Sequence, residues 1–128
     1  MNLLLDTHCL LWFLADDPRL STNAKAAIEN PANRSFVSLA SCWEIAIKLS
    51  LGRLTIGKPF AEVFPAELDR NGIEQLPIAM SHLQELLELP WHHRDPFDRI
   101  IVAQTRVESL KLISRDGFAR SYGIEPLW

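Results

Sequence analysis

The chain has 128 residues, and its 13 Lys and Arg side chains against 16 Asp and Glu side chains give a formal net charge of −3. The hydrophobic content of 48% and the charged content of 23% are ordinary for globular proteins, which argues against a fibrous repeat and a disordered chain. The acidic balance also argues against a broad cationic surface for nucleic acid. We expect a single domain over residues 1–128, because this length is sufficient to bury a hydrophobic core.

The cysteines and the apolar segments bear on location. Cys9 and Cys42 lack the spacing of a metal motif, so we expect reduced thiols and a cytoplasmic protein. The apolar stretch from Cys9 to Ala15 is far shorter than the roughly 20 residues of a bilayer span. A signal peptide is not expected either, since no Lys or Arg precedes Arg19 and Asp6 interrupts the first apolar segment. We therefore expect no membrane association.

The amino-terminal half of the chain predicts alternating strands and helices. The unbroken apolar run Leu3–Leu5 is typical of a strand that is buried on both faces, and it stops at Asp6. Ser21 is a favourable helix N-cap, and Gly52 is a favourable residue just past a helix end. The predicted elements, in chain order, are a strand over 2–5, helices over 7–15 and from 21 to about 29, a strand over 35–38 and a helix over about 40–51.

The carboxy-terminal half continues this alternation. Pro65 is expected to bend or split the first helix of this half, and Ser81 to cap the second. Residues 90–94 are irregular in pattern, and Asp95 and Pro96 then suit the N-cap and the first position of a long helix. The predicted elements, in chain order, are a helix over 59–70, a strand over 73–78, helices from 81 to 89 and from 96 to about 110, a strand over 111–114, and a short helix and a strand near 124.

Strands that alternate with helices predict a parallel sheet, because parallel neighbours need long crossover connections. The connecting helices then cover both faces of the sheet. We therefore predict an α/β fold, a three-layer sandwich in which a central parallel β-sheet is flanked by helices.

Two of the predicted strands have the same sequence pattern, an apolar run followed closely by an aspartate. Asp6 follows the strand over 2–5, and Asp116 follows the strand over 111–114. The carboxyl ends of parallel strands lie along one edge of a sheet, and open α/β sheets bind their ligands just outside that edge. Asp6 and Asp116 therefore converge if the two strands are neighbours.

Glu44 lies one turn into the helix that follows the second predicted strand. Trp43, Ile47 and Leu51 supply an apolar face for this helix, which places Glu44 at the border of the surface that packs inward. A functional carboxylate is one interpretation of this position. The alternative is an ordinary ion pair with Lys48 in the next turn, worth only about 0.2–0.5 kcal/mol.

Asp95 and Asp98 lie one helical turn apart at the start of the long helix. Capping explains both, because Asp95 suits the N-cap and Asp98 the positive end of the helix dipole. The same spacing puts both carboxylates on one side of the first turn, where they can also face a metal. Hard cations such as Mg²⁺ prefer oxygen ligands, and metals held in this way activate water for phosphodiester cleavage. Together, the acids indicate a metal-dependent phosphoryl-transfer site.

The acids lie in four sequence blocks: residues 3–8 (LLLDTH), 41–48 (SCWEIAIK), 95–104 (DPFDRIIVAQ) and 112–116 (LISRD). These blocks resemble, in order, those of a PIN domain, and the match spans nearly the whole chain. They are most similar to the small PIN proteins that serve as VapC-type toxins of bacterial toxin–antitoxin pairs. The resemblance implies a metal-dependent ribonuclease whose parallel sheet lies between helices.

The resemblance also assigns the acids. It implies that Asp6, Glu44, Asp98 and Asp116 hold one or two Mg²⁺ or Mn²⁺ ions, directly or through water, and that metal-activated water attacks an RNA phosphodiester. Asp95 is then a helix cap or an auxiliary metal ligand. These are the expected catalytic and metal-binding residues.

The expected partners follow from the same resemblance. Four basic residues near the acids in sequence are candidates for weak contacts with RNA phosphates: Lys48, Arg94, Arg99 and Arg115. Solvated surface charge is the alternative for each of them. The resemblance further implies a homodimer and a cognate antitoxin protein whose tail enters the active-site groove.

Two other functions are considered. A catalytically silent PIN fold that binds protein is disfavoured because all four acids are present. An aspartyl-phosphate phosphatase or a receiver-like domain also groups acids at strand ends, but residues 6–8 lack the second aspartate of the Asp-x-Asp pattern. His92 and His93 are interpreted as part of a loop flanking the active site, since no third nitrogen or sulfur ligand has the spacing of a zinc site.

Overall fold

Four strands form one parallel sheet in the computed structural model, which describes all residues from 1 to 128. The strands are β1 (Asn2–Leu5), β2 (Arg34–Ser38), β3 (Ile73–Leu76) and β4 (Lys111–Ile113). Their spatial order is β3-β2-β1-β4, and every neighbouring pair is parallel. Leu5 of β1 pairs with Val37 of β2 on one side and with Ile113 of β4 on the other. The predicted parallel sheet is confirmed, and β1 and β4 are neighbours.

Seven α-helices and one 3₁₀ helix accompany the strands. They are α1 (Thr7–Leu14), α2 (Thr22–Glu29), α3 (Leu39–Ser50), α4 (Phe60–Val63), α5 (Ala66–Arg70), α6 (Met80–Glu88), α7 (Pro96–Val107) and the 3₁₀ helix Phe118–Tyr122. Ser21 caps α2 as predicted, because its hydroxyl accepts the backbone N–H of Ala24. Pro65 separates α4 from α5 within the single helix predicted over 59–70. None of these helices combines the length and the apolar character that a bilayer span requires.

The start of α6 differs from the prediction. The helix begins at Met80, so Ser81 lies inside it and does not cap it. Nδ1 of His82 instead accepts the backbone N–H of Ala79 at 2.9 Å. A buried imidazole thus performs the capping that the sequence pattern assigned to a serine hydroxyl.

The carboxy-terminal elements are shorter than predicted. α7 ends at Val107 rather than near residue 110, because Ser109 adopts a left-handed backbone conformation with φ of 53° that a helix cannot continue through. The strand predicted near residue 124 is not formed. Only an isolated parallel bridge joins Leu127 to Ile113 there.

The hydrophobic core occupies both faces of the sheet. Successive side chains of a strand point to opposite faces, so Leu3 and Leu5 pack in one cluster with residues of α1, α2, α3 and α5. Leu4 and Leu112 pack in the other cluster, with residues of α7. All four leucines are fully buried, and burial of each contributes about 1.5–3 kcal/mol. The sheet therefore lies between two helical layers, as predicted.

α3 packs on a different face from the one predicted. Its buried residues are Ala40, Ser41 and Ile45, whereas Trp43 is 62% exposed and Leu51 is 58% exposed. Residue 43 lies about 200° around the helix from residues 41 and 45, on the side away from the sheet. The expectation that Trp43 and Leu51 pack inward is wrong.

Candidate active site

Asp6 and Asp116 lie at the carboxyl ends of the neighbouring strands β1 and β4. Asp6 caps α1: it is buried, and its Oδ1 accepts the backbone N–H of Cys9 at 2.8 Å. Asp116 follows the buried Ser114, whose hydroxyl accepts the backbone N–H of Asp116 at 3.1 Å. Burial raises the pKa of the Cys9 thiol, and the nearby charges of Asp6 and Asp116 raise it further. Both carboxylates thus act on the same thiol at one edge of the sheet.

Glu44 is connected to α1 by a chain of hydroxyl groups. The Thr7 hydroxyl donates to Glu44 Oε1 at 2.7 Å and lies 3.0 Å from the hydroxyl of the fully buried Ser41. Because a hydroxyl has one proton, Ser41 donates to Thr7, and Thr7 donates to Glu44. The other oxygen of Glu44 lies 3.0 Å from Lys48 Nζ. The ion pair considered from the sequence is therefore present, and it coexists with an orienting bond to α1.

Asp95 and Asp98 form the start of α7. Asp95 Oδ1 accepts the backbone N–H groups of Phe97 and Asp98, so Asp95 is the N-cap. Asp98 Oδ2 lies 2.8 Å from His93 Nε2. Burial raises the pKa of Asp98 to about 6; the His93 bond opposes this rise, while the charges of Asp95 and Glu44 add to it. The site therefore contains a half-buried carboxylate under repulsion from two others.

The five acids form two sets, according to the group whose pKa their charges raise. Glu44 and Asp95 act on Asp98, whereas Asp6 and Asp116 act on Cys9. The two sets meet at α1, because the residue after Asp6 is the threonine that donates to Glu44. The structure thus brings the predicted acids to one end of the sheet.

We call this end of the sheet the acidic edge, and its five carboxylates are those of Asp6, Glu44, Asp95, Asp98 and Asp116. Their oxygen atoms can be compared with the ligands that metal ions require. No three His, Cys, Asp or Glu side chains are arranged to hold one ion among them. Mg²⁺, however, is usually bound by one or two carboxylates together with waters and phosphate oxygens. Carboxylates that repel one another are also stabilised by a divalent ion. The oxygen donors therefore fit a hydrated Mg²⁺ or Mn²⁺ ion better than a closed protein cage.

Three of the four predicted basic residues lie at the surface. Lys48 is 37% exposed beside Glu44, and Arg94 is exposed in the loop before Asp95. Arg115 is exposed next to the last acid of the site, with its guanidinium 5.3 Å from the ring centroid of Trp12. These three side chains remain candidates for contacts with RNA phosphates.

Arg99 does not fit its predicted role. It is only 4% exposed, and its guanidinium donates to the carbonyl oxygens of Pro90, Leu86 and Leu89 and to the Tyr122 hydroxyl. A buried guanidinium engaged by these four acceptors is not available to a phosphate. The prediction that Arg99 contacts RNA is wrong, and its role is structural.

The family model described as PIN domain matches residues 3–123. The chain belongs to the PIN domain family. The curated Ribonuclease VapC16 of Mycobacterium tuberculosis is 35% identical over 69 residues, which cover 51% of this chain and 49% of that protein. The match thus spans about half the length of this relative.

Two solved structures share the PIN fold. A crystal structure of VapBC2 from Rickettsia felis bound to a DNA fragment from its promoter superposes with a TM-score of 0.72 at 14% identity, covering 100% of both chains. A toxin–antitoxin complex from Klebsiella pneumoniae gives a TM-score of 0.58 at 21% identity, covering 88% of this chain and 85% of that one. The resemblance to VapC-type PIN proteins stated from the sequence is confirmed.

Sequence reasoning missed two polar residues of this PIN domain's acidic edge, Thr7 and Ser41, and it placed His93 in a flanking loop without its bond to Asp98. Thr7 and Ser41 orient Glu44, and His93 contacts Asp98. The position of Thr7 directly after a strand-end aspartate was a usable signal. The contact made by His93 had no such signal, because the loop conformation depends on distant residues.

Proposed function

We propose that this PIN domain is a metal-dependent endoribonuclease and the toxin of a toxin–antitoxin pair. The observation that carries the proposal is the convergence of acids from β1, α3, α7 and the end of β4 at the carboxyl edge of the sheet. The partial identity to a protein named as a ribonuclease supports the same activity. In this proposal, residues 1–128 act as one domain.

The acids have distinct roles in the proposal. Asp6, Glu44, Asp98 and Asp116 hold Mg²⁺ or Mn²⁺, and Asp95 contributes as an auxiliary ligand through the oxygen that does not cap α7. A bound divalent ion lowers the pKa of a coordinated water and neutralises charge that develops on phosphodiester oxygens. The protein's own contribution is orientation, because a helix-cap bond holds the Asp6 carboxylate, a hydroxyl holds that of Glu44 and an imidazole holds that of Asp98.

In the proposal, basic side chains at the surface bind the phosphates of the RNA backbone. Arg94 and Arg115 lie beside the acids Asp95 and Asp116 in the chain, and neither is bound to an acid in a salt bridge. Lys48 can exchange its bond to Glu44 for one to a phosphate. Such contacts position RNA without selecting its sequence.

Protein partners complete the proposal. We assign a cognate antitoxin, because both solved neighbours are described as VapBC or toxin–antitoxin assemblies. Large apolar side chains stand exposed at Trp43, Leu87 and Trp91, as is common where a protein surface is covered by a partner. A homodimer and a cytoplasmic location belong to the same proposal.

RNA cleavage tests the proposed activity. Purified protein is incubated with mixed RNA and Mg²⁺ or Mn²⁺, with Asp6→Asn as the site variant and Asp16→Asn as the matched control. Asp16 is exposed and bound only to Lys25, so its replacement should leave cleavage unchanged. We expect EDTA to abolish cleavage and D6N to lower the rate by about 100-fold or more, because loss of metal stabilisation costs several kcal/mol in the transition state.

Two outcomes contradict the proposal. Cleavage by D6N at the wild-type rate would show that the buried aspartate is not part of the site. Failure of antitoxin-free wild type to cleave any RNA would favour the catalytically silent PIN module instead.

A further inference from the structure

The buried side chain of Arg99, on α7, holds the loop that precedes this helix in place. Arg99 Nη1 donates to the Pro90 carbonyl at 2.8 Å, and Nη2 reaches the carbonyls of Leu86 and Leu89 at 3.3 and 3.4 Å. The ring of Trp91 lies over the guanidinium, with its centroid 4.0 Å from the carbon that joins the three nitrogens. The end of α6 and the start of the loop are therefore tied to α7.

The same arginine positions His93 through a tyrosine. Arg99 Nη1 lies 3.1 Å from the hydroxyl of the buried Tyr122, and that hydroxyl accepts the backbone N–H of His93 at 3.0 Å. The imidazole of His93 stacks on Phe118, with ring centroids 5.8 Å apart and planes inclined by 23°. Both the backbone and the ring of His93 are thus held by groups outside the acidic edge.

This support directs one imidazole nitrogen at an acid of the site. His93 Nε2 lies 2.8 Å from Asp98 Oδ2, and because an ionised carboxylate only accepts, the nitrogen is the donor. The bond engages one oxygen of Asp98 and leaves Oδ1 for another partner. A charge-assisted bond of this length is strong enough to hold the carboxylate in one orientation.

We propose that His93 is a positioning residue, which fixes the Asp98 carboxylate so that its second oxygen is presented to a divalent ion. The inference rests on the proposed metal-dependent function. Groups that hydrogen-bond to metal-binding carboxylates commonly change metal affinity by about 10- to 100-fold when removed. His93 also packs on Phe118, so its hydrogen bond must be separated from its packing.

Two substitutions separate these contributions in the full chain. His93→Gln retains an N–H donor but loses the stacked ring, whereas His93→Phe retains a ring for Phe118 but has no donor. His92→Phe is the matched control, since the neighbouring His92 ring packs edge-on against Tyr122, an interaction that a phenyl ring can keep. The His93 side chain is 37% exposed, so none of these variants is expected to unfold the protein, and thermal melting verifies this.

The measurement is Mn²⁺ binding by calorimetry in the absence of RNA. We expect H92F and wild type to bind equally, H93Q to remain within about 3-fold, and H93F to bind about 10- to 100-fold more weakly. Wild-type affinity in H93F, or an equal loss in H93Q and H93F, would overturn the positioning role alone. A wild-type protein that binds no Mn²⁺ would overturn the proposed metal-dependent function, and the positioning role with it.

Discussion

Replacing Asp98 with asparagine is expected to stabilise the metal-free protein at neutral pH. Burial, together with Asp95 and Glu44, raises the pKa of Asp98 from 3.8 to about 6. Asparagine has nearly the same shape, keeps an oxygen that accepts from His93, and carries no charge. The substitution therefore removes the desolvation and repulsion of the carboxylate while its neighbours stay in place.

The magnitude follows from the difference between the two pKa values. Each pH unit corresponds to about 1.4 kcal/mol, so ionised Asp98 destabilises the folded state by about 3 kcal/mol relative to its protonated form. Below about pH 4 the carboxyl is protonated in both the folded and the unfolded chain. Between about pH 4 and 6 only the unfolded chain ionises, so stability is lost as the pH rises and the full loss is present above pH 6 to 7.

Urea unfolding in EDTA tests this expectation at pH 4 and at pH 7.5. D98N should have a higher free energy of unfolding than wild type. The difference between the two proteins should be about 2–3 kcal/mol larger at pH 7.5 than at pH 4. Glu62→Gln, a neutralisation of an exposed acid on α4, should change stability by less than about 0.5 kcal/mol at either pH. An equal difference in the free energy of unfolding between D98N and wild type at both pH values would refute the argument that burial and neighbouring charges destabilise ionised Asp98.

Three further predictions concern single residues. Arg99→Lys should lower the free energy of unfolding by about 2–3 kcal/mol in urea titrations, because lysine cannot satisfy the same acceptors. Arg94→Lys, at an exposed position, should leave the free energy of unfolding unchanged. Equal effects of the two substitutions would contradict the structural role of Arg99. Ser21→Ala should cost about 1 kcal/mol in the same titrations, and no loss would contradict its capping of α2. Thiol labelling of the native protein should modify Cys42 before Cys9, because burial raises the pKa of both thiols but Cys9 is fully buried whereas Cys42 is partly exposed; early labelling of Cys9 would contradict that burial.

Elements with strong local signals could be predicted from the sequence. The Leu3–Leu5 run forms β1, Ser21 caps α2, and Pro65 separates two helices. In each case neighbouring residues determine the outcome, through backbone geometry or a bond to an adjacent turn. The ends of β1 and β4, which precede Asp6 and Asp116, belong to this class, so the placement of these two acids at one edge of the sheet was predictable.

Other features depend on contacts between distant segments. Trp43 and Leu51 were expected to pack inward, but the orientation of α3 is set by Ser41 and Ile45 against its neighbours. Arg99 follows Asp98 in the chain, but successive positions on a helix are about 100° apart. The Arg99 side chain therefore contacts the loop before α7, at the Pro90 carbonyl, and does not face the acids. Periodicity identifies a helix, but it does not say which other segment covers each side.

The central claim is that carboxylates from four segments form one site for hydrated divalent ions, and anomalous diffraction from crystals soaked in Mn²⁺ tests it most directly. The account predicts an anomalous peak within about 2.5 Å of carboxylate oxygens from at least two of Asp6, Glu44, Asp98 and Asp116. The peak should weaken in crystals of D98N. Occupied Mn²⁺ sites elsewhere in the crystal, with none at these four carboxylates, would contradict the account.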